Sequence, residues 1–161
     1  MQISRASRIL LVSAALLPTV QAVAAVDAFL TIAGTKQGSI KGDAAKQGGS
    51  EGSIAVSAVV RQTLTGKRQH SLITITKETD QASPLLYQAM TNHEVLSNVT
   101  ITFAGSGSGA GKVAQKIVLT DATITDIRKV GNSEQITFDY PTIEVTYKGG
   151  GKTASDDWLA Q

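Results

Sequence analysis

The sequence predicts an all-β protein, mainly strands with one short helix. Three observations carry that prediction. Apolar residues recur at every second position through most of the chain, the signature of half-buried strands. The runs are rich in β-branched residues, which suit a pleated surface. The apolar parity switches at two places without drifting into a helical period, so the strands bend through corners. Curved strands with corners are what a closed barrel or a tight sandwich of two curved antiparallel sheets needs.

The chain has 161 residues. It opens with the layout of a signal peptide. Arg5 and Arg8 form a basic start, Ile9 to Leu17 is apolar and uncharged, and Pro18 ends that run. Ala22, Val23, Ala24 and Ala25 supply the small residues of a cleavage region, with cleavage expected after Ala25. The apolar run is too short to span about 30 Å of hydrocarbon, so no stable membrane insertion is expected. Removing residues 1–25 from 161 leaves 136, one domain's worth (26–161). The expected location is secreted or periplasmic.

The strands then follow in order. Phe29 to Ile32 reads as a short first strand, and 34–53 as a polar Gly/Lys/Ser loop. Ile54 to Leu64 reads as one β-branched strand, with no charge from 54 to 60. Ile73 and Ile75 share a face opposite Thr74 and Thr76. Val99, Ile101 and Phe103 alternate with Thr100 and Thr102. Val113 to Val130 is too long for one flat strand, and its phase wavers at Asp121-Ala122, where a bulge or bend is expected. Ile136, Phe138 and Tyr140 change to Ile143, Val145 and Tyr147 across Pro141, where a bulge or corner is expected.

One segment breaks the pattern. Ser83-Pro84-Leu85-Leu86-Tyr87-Gln88-Ala89-Met90 reads as a helix, with Ser83 as N-cap, Pro84 at the first helical position and Asn92 as a stop. So short a helix is unstable alone and should plug an end or cover a face of the barrel.

Charge and motifs exclude several functions. Arg5 and Arg8 account for the whole formal charge of +2, so the mature domain is neutral and lacks the positive surface that nucleic acid needs. With no cysteine there is no disulfide, thiolate nucleophile or Cys-ligated metal. Gly111-Lys112 is followed by Val113 and lacks the first glycine of a P-loop, as does Gly151-Lys152-Thr153. Gly105 to Gly111 therefore reads as a flexible turn. His70 and His93 have no metal-ligand spacing, and no serine sits in a nucleophile elbow. Lys77-Glu78-Thr79-Asp80 and Asp156-Asp157 lack the alternation of a calcium loop and read as solvated charge. Asn98-Val99-Thr100 matches a glycosylation sequon but lies within a strand pattern. No enzyme, cofactor or metal is expected.

At Lys77 to Leu86 the sequence resembles the Hcp family, the tube proteins of type VI secretion systems. In that family a strand ends in a charged Lys-x-x-Asp segment, and Ala-Ser-Pro-x-Leu opens the single helix. Here Asp80, Ser83, Pro84, Leu85 and Leu86 carry the match. Val26 to Gly34, Gly52 to Val56, Asn98 to Phe103, Ile143 to Tyr147 and a late Trp158 are similar in the same order. The resemblance implies a β-barrel with one helix, six copies in a homohexameric ring, and rings that stack into a tube or carry effectors. Its partners would be itself, secretion-machine components or carried effectors. Two features depart from the family: the export signal, and a gap of only Thr65 to His70 where a longer loop helps rings stack.

The charge-free strand makes Ile54, Val56 and Val59 candidate interface residues. Trp158 joins them, because aromatics concentrate binding energy at interfaces. The leading reading is a non-enzymatic ring-forming secretion protein outside the cytoplasm. The alternative is a monomeric extracytoplasmic β-barrel module that binds a small ligand or glycan.

Overall fold

Period-two burial runs through the long strands of the computed structural model, which describes residues 28–44, 51–63, 71–105, 113–147 and 152–157. The signal region with Ala22 to Ala25, the 65–70 gap with His70, most of the glycine tract and Trp158 lie outside the described residues. The strands are β1 (Ala28–Gly34), β2 (Gly38–Ile40), β3 (Ile54–Val56), β4 (Ala58–Thr63) and β5 (Ser71–Glu78). The helix α1 (Ser83–Thr91) follows. Then come β6 (Leu96–Ala104), β7 (Val113–Val130), β8 (Ser133–Asp139), β9 (Thr142–Tyr147) and β10 (Lys152–Asp157).

All pairings are antiparallel and form two sheets that share β7. The wide sheet runs β1, β6, the first half of β7, β9, β10, with the short β2 and β3 both against the far edge of β1. The narrow sheet runs from the second half of β7 through β8 and β5 to β4. Side chains from the two inner faces fill one core, which includes Leu30, Ile101, Leu119, Ile75, Ile136 and Phe138. Leu86 and Ala89 of α1 enter the same core, so the helix covers the barrel as its length requires.

Both sequence corners are present. In β7 the buried positions are Ile117 and Leu119 before Asp121, then Ala122 and Ile124 after it. Asp121 takes φ 54°, a left-handed conformation that Asp tolerates better than most residues. The strand bends there without a change of register to β6, Thr120 lying opposite Asn98 and Ala122 opposite Leu96; the register shift of β7 falls between Ile124 and Asp126, against β8. Past it, β7 leaves β6 and β9 and pairs with β8. At Pro141 the chain leaves β8 in the narrow sheet and enters β9 in the wide one.

Three expectations are corrected. The 34–53 loop contains a strand, β2, whose Ile40 is buried against β1. The 54–64 run is two strands: β3 pairs with β1 and β4 with β5, the break falling at Ser57. The helix begins one residue earlier than expected. Ala82 is its N-cap, no side chain caps it, and Ser83 lies inside its first turn.

Candidate assembly edges and the buried network behind them

The narrow sheet ends in two open edges. Among the described residues β4 pairs only with β5, and residues 123–130 of β7 pair only with β8. One core-side row crosses all four strands: Val59, Ile75, Ile136, Ile127. Its middle members are buried, and its two ends, Val59 and Ile127, are half-buried apolar residues at opposite edges. On the outer face the rows are Val60, Thr74, Thr137, Asp126 and Ala58, Thr76, Gln135, Arg128. Thr74 and Thr137 are linked through their hydroxyls at 2.9 Å. The β4 ends of these two rows are apolar, the Thr and Gln residues between are uncharged, and Asp126 and Arg128 put charge at the β7 end.

This sorts the candidate interface residues. Ile54 and Val56 are buried within the subunit against β1, so their side chains offer nothing to a neighbour. Val59 is the member of that group at an accessible edge. The break at Ser57 resets the parity, so Val56 and Val59 both pack inward and Val60 points out.

Behind this sheet lies an ion cluster that assembles the helix motif. Lys77 was expected to be solvated; its side chain is 0% exposed. Its ammonium Nζ sits 2.9 Å from Asp80 Oδ1 and 3.2 Å from Glu134 Oε2, and it donates to Ser83 Oγ at 3.0 Å and the Glu78 carbonyl at 2.7 Å. Ser83 Oγ in turn donates to Glu134 Oε2 at 2.7 Å and accepts the Asp80 N–H at 3.1 Å. Asp80 Oδ1 accepts the Ala82 N–H at 3.0 Å. A buried ammonium is tolerated only when paired and hydrogen-bonded. The Lys-x-x-Asp-x-x-Ser spacing therefore serves as a joint: it fastens the end of β5 and the start of α1 to β8. Pro84 is exposed at the helix start, Leu85 is half-buried and Leu86 is fully buried.

A second buried carboxylate was missed by the sequence reading. Glu94 follows α1, after His93 at φ 48°, and is 1% exposed. Its Oε1 accepts the backbone N–H groups of Lys36 at 2.7 Å and Gln37 at 2.9 Å, and its Oε2 accepts Gln37 Nε2 at 2.8 Å. Burial pushes the Glu94 carboxyl up, but the bonds from Gln37 and Lys36 outweigh it and hold the group below the ordinary glutamate value. A Cβ at Gly34 would overlap Glu94 Oε1, which explains a glycine at the end of β1.

Among the described residues no group of three His, Asp or Glu side chains could hold a metal ion. His93 is exposed beyond the helix. The arrangement provides open edges, a polar face with charge at its β7 edge, and buried joints.

Comparison with known proteins agrees with that character. The family model described as "Type VI secretion system effector, Hcp" matches residues 29–147. A curated relative, the "Major exported protein" of Pseudomonas aeruginosa, is 33% identical over 165 residues, covering 83% of this chain and 96% of the relative. The solved structure of the secreted protein Hcp3 from Pseudomonas aeruginosa is 32% identical, with TM-score 0.74, over 83% of this chain and 99% of that one. Hcp1 from Salmonella typhimurium, at 18% identity and TM-score 0.69 over 85% and 97%, shares the fold.

Proposed function

Since the chain belongs to the Hcp family of type VI secretion proteins, we propose that it works as a non-enzymatic, exported ring of identical subunits, a hexamer by family resemblance. The observation that carries the ring is the pair of open edges on the narrow sheet. Exposed edges are templates for pairing, and β4 and β7 are the two ends of one sheet, so joining them is a heterologous contact. The sheet has four alternating strands, so β4 and β7 run in opposite directions. Rotating one subunit onto the next then brings β4 beside the neighbour's β7 in antiparallel register, with no new strand direction required. An odd number of strands would have forced a parallel seam.

The seam also covers the apolar residues the monomer leaves half-exposed, Val59 on one edge and Ile127 on the other. The subunit is wedge-shaped in strand count: six strands lie across the wide sheet and four across the narrow. A wedge closes with its narrow side inward, so the row faces of Thr74, Thr76, Gln135 and Thr137 line the opening. Export rests on Arg5, Arg8, the apolar run and Ala22 to Ala25, and on the relative described as exported. The ring then acts outside the cytoplasm, as a tube element or a carrier for secreted cargo.

One preparation tests both parts. Protein collected outside the cytoplasm should have an intact mass that begins within Val23 to Val26, and should scatter light at about six times the subunit mass. Val59→Lys and Ile127→Lys each place a charge at a seam edge and should give folded monomers. A retained Met1 overturns the export reading. Assembly that survives both lysines overturns the seam, and a wild-type monomer at micromolar concentration favours a ligand-binding barrel.

A further inference from the structure

The turn from β1 to β2, residues 35–37, is fastened from outside by the segment that follows the helix. Thr35 donates both its backbone N–H, at 3.0 Å, and its hydroxyl, at 2.9 Å, to the Val95 carbonyl. Glu94 accepts the next two amides of the turn, and Gln37 Nε2 bridges Glu94 Oε2 and the Leu85 carbonyl of α1, the latter at 3.2 Å. Three N–H donors thus converge on one buried carboxylate. The Gln37 Oε1 atom is buried and, among the described residues, has no hydrogen-bond partner. A buried acceptor left open beside a carboxylate is unusual, because such groups are normally satisfied. It is the group that could accept the proton a neutral Glu94 would carry.

We propose that Glu94 and Gln37 form an acid-operated latch on the β1–β2 turn. With Glu94 ionised, its Oε1 holds the Lys36 and Gln37 backbone amides, its Oε2 holds Gln37 Nε2, and the latch is closed. When Glu94 takes up a proton, that O–H needs an acceptor. Gln37 can supply Oε1 only by turning its amide over, which moves Nε2 off the Leu85 carbonyl. The bridge from turn to helix then breaks, and the turn swings away from α1. The latch is independent of the ring reading: it involves neither open edge of the narrow sheet.

The charged and titratable groups around Glu94 are few. Lys36, on the turn itself, favours the ionised form, and His93 is its chain neighbour. The helix contributes only the Leu85 carbonyl and the end of β1 only Gly34. The sign follows from the lowered carboxyl. A carboxylate held below its unfolded value contributes fully above that value, 4.5, and loses its contribution as pH falls through the lower folded value. The latch is therefore closed at neutral pH and opens in acid.

Amide hydrogen exchange, corrected for intrinsic pH dependence, tests this on the mature protein. Between about pH 7 and about pH 3, protection of the Lys36 and Gln37 amides should fall by about tenfold or more, as loss of a hydrogen bond to a charged group implies. The Ile75 and Ile136 amides, at the centre of the narrow sheet, should stay protected. E94Q, neutral at every pH, should show the open-latch exchange at pH 7 and little further change in acid. If E94Q does not fold, the wild-type Glu94 carboxyl carbon signal replaces it: it should titrate below 4.5 together with the Lys36 and Gln37 amide signals. The latch is overturned if those amides keep their protection in acid, or if E94Q exchanges like wild type at pH 7. It is equally overturned if the turn and the sheet lose protection together, or if Glu94 titrates while the amides do not respond.

Discussion

Lys77→Met removes the charge at the centre of the buried joint and keeps most of the side-chain volume. The ammonium has four partners within 3.2 Å, two of them carboxylates, and no exposure to water. Without it, Glu134, 2% exposed, keeps a single close donor, the Ser83 hydroxyl, and Asp80 loses its cation. Removing one partner of a buried ion pair costs about 3–5 kcal/mol, because the remaining charge stays buried and uncompensated. Domains of this size have about 5–15 kcal/mol in total, so the variant should fold but with much of its margin gone. Urea unfolding followed by circular dichroism measures it: with a slope of about 1–3 kcal/mol per molar, the midpoint should fall by at least about 1 M. Lys77→Met combined with Glu134→Leu should recover part of the loss, since an apolar replacement of a whole buried pair is often neutral. A loss below about 0.5 kcal/mol, the range of surface substitutions, would refute the burial of Lys77 and with it the joint.

The other two predictions concern the helix. Ser83→Ala should cost about 1.5–3 kcal/mol, because it deletes hydrogen bonds to two charged side chains, whereas a simple N-cap would cost about 1; thermal and urea unfolding distinguish the two magnitudes. Leu86→Ala should cost about 2–5 kcal/mol as a core cavity, and Leu85→Ala, half-buried, distinctly less; equal effects in urea unfolding would mean that the helix does not enter the core as described.

Much of the fold was legible because strand burial is a local, period-two signal. The parity changes at Asp121 and Pro141 could be counted from the sequence, and each corresponds to a change of sheet partner. The helix was legible from Ser-Pro-Leu-Leu, since its apolar face is also local. What the sequence hid depends on partners far along the chain. Ser83 looked like a cap because capping is the usual role of a serine before a proline. Its true partner, Glu134, is 51 residues away. Lys77 looked solvated because lysine usually is, and nothing nearby indicates that β8 will bring a carboxylate to it. No local pattern singles out Glu94, because its donors lie 57 and 58 residues upstream. The break at Ser57 left no glycine or proline to mark it, so one β-branched run read as one strand. Only the pairing of β3 with β1 and β4 with β5 separates them.

The separation at Ser57 and the bend at Asp121 perform matching tasks at opposite edges of the narrow sheet. At one edge the chain passes from the wide sheet to the narrow one between β3 and β4; at the other, a single strand does so without a break. Ser57 stays anchored through the crossing, its N–H and hydroxyl both donating to the Thr76 carbonyl at 2.8 and 3.1 Å. Asp121 accepts a left-handed backbone for the same purpose, a conformation that costs a non-glycine residue on the order of 1–2 kcal/mol. Each open edge of the narrow sheet is thus continuous, within one or two residues, with a strand locked into the wide sheet. The edges cannot shift without moving the core rows of Ile117 and Leu119 on one side or Ile54 and Val56 on the other. That rigid placement is what repeated heterologous contact requires, because a ring closes only if every seam has the same angle. In the proposed ring the seam angle is set, in a chain without cysteine, by two crossings packed into one core, with Lys77, Ser83 and Glu134 pinning the helix over the sheet between them.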